Sequence, residues 1–207
     1  DHLRASVACA ALVRCISLFA SSRSDDDGAA QCRGRSDVTV AIVPPQRARA
    51  QAQAILAMGV RLVKVKVGKD VDEDEERVRA VAGVSPRLKL MLDANQGYRS
   101  GQALSLLRRL RRHGITPVLF EQPVPKNDWE GLARVPRLGR VPVAADETVS
   151  CRADALKMAR LKTADVVNIK LMKCGILEAW DIALICRAAG LKLMMGGMIE
   201  SSLAMAA

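Results

Sequence analysis

Short apolar runs that end abruptly in charged residues recur along the chain and predict buried strands. The clearest is LKLMLDANQG, in which apolar residues continue to Leu92 and give way at Asp93 to polar and turn-forming residues. Such a strand carries a carboxylate at its C-terminal end. Other apolar runs end at Glu121, Asp146 and Lys170. A further run carries two charges within it, Lys64 and Lys66.

The charged positions from Lys66 to Lys170 follow one another at intervals of 24 to 28 residues. A strand with its crossover helix takes about 30 residues. The spacing therefore predicts one ionisable group for each βα unit. In a parallel (β/α) barrel such groups lie together, because the active site is built at the C-terminal ends of the strands.

Apolar periodicity predicts strands and helices that alternate strictly along the chain. The predicted strands are Val38–Val43, Arg61–Gly68, Leu88–Asp93, Val118–Glu121, Val141–Ala145, Asp165–Ile169 and Leu191–Met195. The predicted helices are Gln46–Met58, Asp70–Ala82, Ser100–His113, Asp128–Ala133, Arg152–Leu161, Ile176–Ala189 and the start of one at Glu200–Ala207.

Strict alternation of strands and helices predicts an α/β protein with a parallel sheet and helices outside it. An open doubly wound sheet is the alternative, but its dinucleotide-binding form needs a Gly-rich phosphate loop after the first strand, and the sequence has none there. We therefore expect a partial TIM-type (β/α) barrel of about seven strands within residues 38–207.

Residues 1–37 differ in composition from the rest and are predicted to be an irregular N-terminal segment or linker. The apolar stretch Val7–Ala20 is interrupted by Arg14 and is shorter than the roughly 20 residues that a membrane span needs. We expect no association with a membrane. A cytoplasmic location is favoured, although an Arg- and Ser-containing N-terminus is also compatible with organellar targeting.

Composition narrows the function classes further. Half of the 207 residues are hydrophobic, which suffices for a large core, but only two Trp, two Phe and one Tyr are present. Single-stranded nucleic acids are bound on aromatic platforms, so we expect no nucleic-acid partner despite the net charge of +10. The six cysteines lack CxxC and zinc spacing and are predicted to be buried, reduced thiols: Cys9, Cys15, Cys32, Cys151, Cys174 and Cys186.

Asp93, Glu121 and Asp146 place three carboxylates on three successive strands. Oxygen ligands of this kind suit a hard cation such as Mg²⁺. Crowded carboxylates repel one another, and a divalent cation relieves that repulsion. The two histidines, His2 and His113, lie away from the strand ends, which disfavours zinc. The pattern predicts one bound Mg²⁺.

Lys64 and Lys66 are two residues apart on one strand, so their side chains face the same side of the sheet. Mutual repulsion predicts that the pKa of one of them is lowered toward the range of a general base. Lys170 is four strands away and is expected to face them across the mouth of the barrel. Lysines that flank a metal-bound carboxylate suit removal of the adjacent proton.

Six motifs in order, VKVKVG, LDANQG, FEQPV, ADE, NIKLMKCG and GGMIESS, resemble the enolase superfamily, within it the mandelate racemase/muconate-lactonizing-enzyme subgroup and most closely its dipeptide (L-Ala-D/L-Glu) epimerases. The resemblance implies an Mg²⁺-dependent racemase or epimerase that acts on a small carboxylate substrate such as a dipeptide. It implies Lys66 and Lys170 as acid/base groups, Lys64 and Glu200 in substrate binding, and Asp93, Glu121 and Asp146 as metal ligands.

Family members also carry an N-terminal capping domain and an eighth strand, and neither is recognisable in this sequence. KCG is usually followed by a second glycine, where this chain has Ile176. A truncated, catalytically inactive barrel fragment is therefore one alternative, and a cycloisomerase or dehydratase of the same superfamily is another. Open sheet edges would favour self-association, so a homo-oligomer is also expected.

Overall fold

The computed structural model describes residues 37–197, which form seven strands and six helices in strict alternation. The strands are β1 (Val38–Val40), β2 (Leu62–Lys66), β3 (Lys89–Asp93), β4 (Leu119–Glu121), β5 (Val143–Ala145), β6 (Val166–Ile169) and β7 (Lys192–Met195). The helices are α1 (Pro45–Ala57), α2 (Val71–Ala82), α3 (Ser100–Arg112), α4 (Trp129–Gly139), α5 (Arg152–Leu161) and α6 (Leu171–Ala188).

The strands pair in parallel and in chain order from β1 to β7. A doubly wound sheet reverses its strand order at the point where its ligand binds, whereas a (β/α) barrel adds each strand beside the previous one. The observed order therefore confirms the predicted partial barrel. β1 and β7 are the edges of the sheet within the described part of the chain.

Alternation along β2 separates the core from the polar face of the sheet. Val63 and Val65 are fully buried within the hydrophobic core. Leu62, Lys64 and Lys66 alternate with them and are half-buried, so they lie on the other face. This pattern confirms that the two lysines share one side.

None of the helices between residues 37 and 197 has the length and apolar character needed to cross a bilayer.

Most predicted element ends agree with the structure to within two residues, and three do not. β1 ends at Val40 rather than Val43, because the chain already turns toward α1, whose N-cap is Pro44. The predicted end of α4 at Ala133 is wrong, since the helix continues to Gly139 through Pro136. Burial of Leu132 and Val135 against the core offsets the hydrogen bond that the proline removes.

The start of α6 also differs from the prediction. A helical turn that begins at Leu171 precedes the predicted start at Ile176, and Gly175 separates the two segments with a φ of 74° and a ψ of 174°. Glycine adopts this conformation without the steric penalty of other residues. The additional turn brings Lys173 next to the end of β5. All but the last residue of the predicted N-terminal segment 1–37, and the predicted helix Glu200–Ala207, lie outside the described residues.

A buried polar network anchors the loop that follows β2. Asp74 is fully buried on α2, and its Oδ2 accepts hydrogen bonds from the backbone N–H groups of Gly68 at 2.8 Å and Lys69 at 3.1 Å. Arg77 and the Tyr98 hydroxyl also donate to this carboxylate. Burial and the adjacent carboxylate raise the pKa of Tyr98. The network fixes the chain immediately after Lys66.

Replacing Asp74 tests the importance of this network for stability. Asp74→Ala leaves the Arg77 guanidinium buried without its carboxylate, and loss of one partner of a buried ion pair costs about 3–5 kcal/mol. We expect a decrease of that size in the free energy of unfolding, measured by urea denaturation. Asp72→Ala on the same helix is the control: Asp72 pairs with Arg109 at the surface, so its loss should cost about 1 kcal/mol or less. Equal losses for the two variants would contradict the prediction.

Candidate active site

The register of the sheet brings the charged strand ends together. Lys66 of β2 lies opposite Asp93 of β3, and Asp93 lies opposite Glu121 of β4. Glu121 in turn lies opposite Ala144 of β5. Asp146 follows Ala144 by two residues, the spacing at which side chains return to the same face. The C-terminal ends of four neighbouring strands therefore contribute to one polar cluster.

Both lysines of β2 bind carboxylates of the neighbouring strands. Lys64 Nζ donates to Glu121 Oε2 at 2.7 Å and lies 3.9 Å from Asp93 Oδ2. Lys66 Nζ donates to the same Asp93 oxygen at 2.7 Å and also to Asn95 Oδ1. The carboxylates are almost fully buried, whereas the Lys66 side chain is 28% exposed. The Lys66 ammonium group therefore lies between the acids and solvent.

Asp146 is bound from the other side of the cluster. Lys170, at the end of β6, donates to Asp146 Oδ2 at 2.5 Å, and Lys173 donates to Oδ1 at 2.8 Å. Burial by itself would raise the pKa of Asp146, but the two ammonium groups hold it below the usual carboxyl range. Each of the three predicted metal ligands thus has at least one lysine partner.

The charges of the cluster act on one another. Burial raises the pKa of Glu121 above its usual value, and the charges of Asp93 and Asp146 add to that effect while Lys64 opposes it. The expected fall in a lysine pKa is wrong for Lys64. Its burial does favour the neutral amine, but the nearby carboxylates, Glu121 first among them, outweigh burial and raise the pKa. Sequence spacing predicted the lysines and the acids at the same strand ends, but not that the acids would pair directly with Lys64.

Three buried carboxylates on adjacent strands are a donor set that suits Mg²⁺. In the described residues, however, no three Asp, Glu, His or Cys side chains are grouped closely enough to hold a metal ion as they stand. Their oxygens accept hydrogen bonds from ammonium groups instead. The donor set fits the ion in chemistry and charge, and binding would require the acids to exchange ammonium partners for it.

Comparison with known proteins places this arrangement in a family. A sequence profile described as enolase C-terminal domain-like matches residues 47–207, which is most of the chain. The chain belongs to the enolase C-terminal domain-like family.

Two curated relatives of this enolase-like domain are epimerases. The chain is 43% identical over 132 residues to the L-Ala-D/L-amino acid epimerase of Populus trichocarpa, a match that covers 62% of this chain and 31% of that protein. It is 45% identical over 128 residues to the aromatic dipeptide epimerase of Herpetosiphon aurantiacus, covering 62% and 36% of the two proteins. The matched region thus spans about a third of the length of these relatives.

Solved structures agree with the fold. A mandelate racemase/muconate lactonizing enzyme from Roseiflexus sp. superimposes with a TM-score of 0.80 at 51% identity, over 82% of this chain and 49% of that one. The dipeptide epimerase of Enterococcus faecalis V583, complexed with Mg and the dipeptide L-Leu-L-Tyr, gives a TM-score of 0.75 at 38% identity. That match covers 79% of this chain and 46% of the other.

Two neutral residues in the enolase-like domain hold the charged ones in place. Gln122 is fully buried and adopts a φ of 33°. Its Oε1 accepts from the backbone N–H groups of Asp146 and Thr148, so it fixes the loop after β5. Asn168 Nδ2 donates to Glu121 Oε1 at 2.7 Å. Sequence reasoning missed both roles, because a neutral amide within a strand-end motif gives no charge signal.

Asn95 connects the ends of β3 and β5. Its Oδ1 accepts from Lys66, and its Nδ2 donates to Glu147 Oε1 at 3.3 Å. An ammonium group on one side and a carboxylate on the other determine which way the amide faces. A left-handed backbone at Asn95, with a φ of 42°, places the side chain between them.

Other predicted residues have mixed outcomes. Glu200, predicted to bind substrate, lies outside the described residues, as do Cys9, Cys15 and Cys32. The prediction of buried thiols is confirmed for Cys186 but is wrong for Cys151 and Cys174, which are half-buried. All three described cysteines are free thiols.

Gly196, just after β7, leaves the space that Asn168 and Lys170 occupy. A Cβ atom at this position would lie 2.5 Å from Asn168 Oδ1 and 2.8 Å from Lys170 Cε. Both distances are far inside van der Waals contact. Any other residue at this position would therefore have to displace a predicted catalytic lysine and the partner of Glu121.

Gly196→Ala is expected to lower the free energy of unfolding by about 1–3 kcal/mol, the usual cost of overpacking. Urea denaturation measures this change. Gly101→Ala is the matched control, because nothing lies within 4 Å of its added Cβ and alanine favours the α3 helix over glycine by about 1 kcal/mol. A Gly196 variant as stable as the Gly101 variant would show that the crowding is relieved elsewhere.

Proposed function

We propose that this chain carries the acid/base and metal-binding half of an Mg²⁺-dependent epimerase that inverts the carbon next to the carboxylate of a dipeptide. One observation carries the proposal: Lys66 at the end of β2 and Lys170 directly after β6 each bind a different member of the same buried carboxylate cluster. Inversion by a two-base mechanism places one proton-transfer group on each face of the reacting carbon.

The lysines of β2 and β6 lie close enough to influence each other. Burial favours the neutral form of Lys170, but its bond to Asp146 and the charge of Glu121 raise its pKa, against the repulsion of Lys64. Charges from β4, β5 and β2 therefore act on a group at the end of β6. This electrostatic coupling supports a single shared mouth rather than separate surface pairs.

In the proposed reaction, one lysine amine removes the α-proton from one face, and the ammonium group of the other returns a proton to the opposite face. Lys64 is the candidate to bind the substrate carboxylate through its positive charge. Asp93, Glu121 and Asp146 would hold Mg²⁺, which supplies positive charge to neutralise the oxygens of the substrate carboxylate. The relatives named as dipeptide epimerases support a dipeptide as the substrate class.

Proton exchange in D₂O tests this proposal. With Mg²⁺ present, the protein should incorporate deuterium at the α-carbon of the C-terminal residue of L-Ala-L-Glu or L-Leu-L-Tyr, followed by NMR. Lys66→Ala and Lys170→Ala should each abolish interconversion of the epimers, because each removes one of the two proton-transfer groups. Each variant should still exchange the α-proton of one epimer only, the one whose α-proton faces the remaining lysine.

Lys89→Ala is the control for loss of a lysine, since Lys89 is exposed at the opposite end of β3. It should leave exchange and interconversion unchanged. Wild-type protein that exchanges no α-proton with any tested dipeptide would contradict the proposal. Full interconversion by either catalytic-lysine variant would contradict the two-lysine assignment.

A further inference from the structure

Among residues 37–197, Lys173 makes more hydrogen bonds than any other lysine of the cluster, although nothing in its sequence position assigns it a role in the reaction. Its Nζ donates to Asp146 Oδ1 at 2.8 Å and to three backbone carbonyl oxygens. These belong to Asp146 at 2.6 Å, Val149 at 3.1 Å and Asn168 at 2.9 Å. Four oxygen atoms surround a group that has three protons to donate.

The backbone conformation around Lys173 places its side chain next to the loop after β5. Lys173 lies on the single helical turn between the end of β6 and the break at Gly175. Its backbone N–H donates a hydrogen bond to the Lys170 carbonyl oxygen at 2.9 Å. Its side chain, only 15% exposed, extends from the start of α6 to the loop after β5. The ammonium group therefore ties the ends of two neighbouring strands together.

The two oxygens of Asp146 are divided between two lysines. Lys173 binds Oδ1 together with the carbonyl of the same residue, so this oxygen is held against the backbone. The predicted catalytic residue Lys170 binds the other oxygen, Oδ2. We propose that Lys173 is a positioning residue that fixes the Asp146 carboxylate by Oδ1, so that Asp146 offers a divalent cation only Oδ2.

This inference rests on the proposed function, because it concerns how the chain prepares a metal ligand. A positioning role and a purely electrostatic role predict opposite changes in Mg²⁺ affinity when Lys173 is replaced. If Lys173 acted through its charge alone, removing that charge would reduce repulsion and strengthen Mg²⁺ binding. If it positions Asp146, removing it frees the carboxylate to rotate and weakens binding. Loss of a group that orients a metal ligand typically lowers metal affinity 10- to 100-fold.

Mg²⁺ titration of the purified 207-residue chain by isothermal calorimetry separates these outcomes without any measurement of activity. Lys173→Met keeps most of the aliphatic stem but removes the charge and the donors, and should weaken binding at least about tenfold. Lys173→Arg keeps the charge but replaces the compact ammonium group with a planar fork, and should also weaken binding. Lys192→Met, at the exposed start of β7, is the matched control for loss of one positive charge.

The outcomes distinguish the two proposals. Weaker binding in both Lys173 variants, with the control unchanged, supports the positioning role. Tighter or unchanged binding in Lys173→Met overturns it while leaving the proposed function intact. If circular dichroism shows that the Met variant is unfolded, the charge-retaining Arg variant decides, and wild-type affinity in that variant overturns the role. Wild-type chain that binds no Mg²⁺ overturns the proposed metal site and this inference together.

Discussion

Buried negative charge at the ends of three parallel strands is the constraint around which the rest of the polar structure is arranged. Asp93, Glu121 and Asp146 are each no more than 1% exposed. A buried carboxylate without a partner would be strongly destabilising in its charged form. Lysines from β2 and from the junction of β6 with α6 neutralise these acids. The same set of groups thus satisfies a requirement of folding and provides the chemistry of the candidate site.

The neutral residues around the cluster follow from this constraint. A carboxylate with an ammonium partner still has oxygen lone pairs to satisfy, and Asn168 binds the Glu121 oxygen that Lys64 leaves free. Gln122 fixes the loop that carries Asp146 through two backbone hydrogen bonds. Gly196 leaves room for the side chains of Asn168 and Lys170. Charge, hydrogen bonding and space are therefore supplied by different strands at the same end of the sheet.

Sequence reasoning predicted the features that depend on local pattern. The seven strands, the parallel barrel and the common face of Lys64 and Lys66 follow from periodicity, and the structure contains them all. It could not predict the partners of Asp74, because a carboxylate near the start of α2 looks like one of several acids that favour a helix N-terminus. It also missed the turn before Gly175, which carries Lys173 to the loop after β5. Long-range contacts of this kind leave no periodic signal.

The chain-order pairing of the strands has a consequence for assembly. Within residues 37–197 each strand pairs with the one before it in the sequence, so each of these pairings closes a loop of about one βα unit. Growth of this kind resembles that of repeat proteins, in which stability is gained between nearest neighbours. A stretch of the barrel can therefore bury a continuous core unit by unit, as the single core cluster of these residues shows.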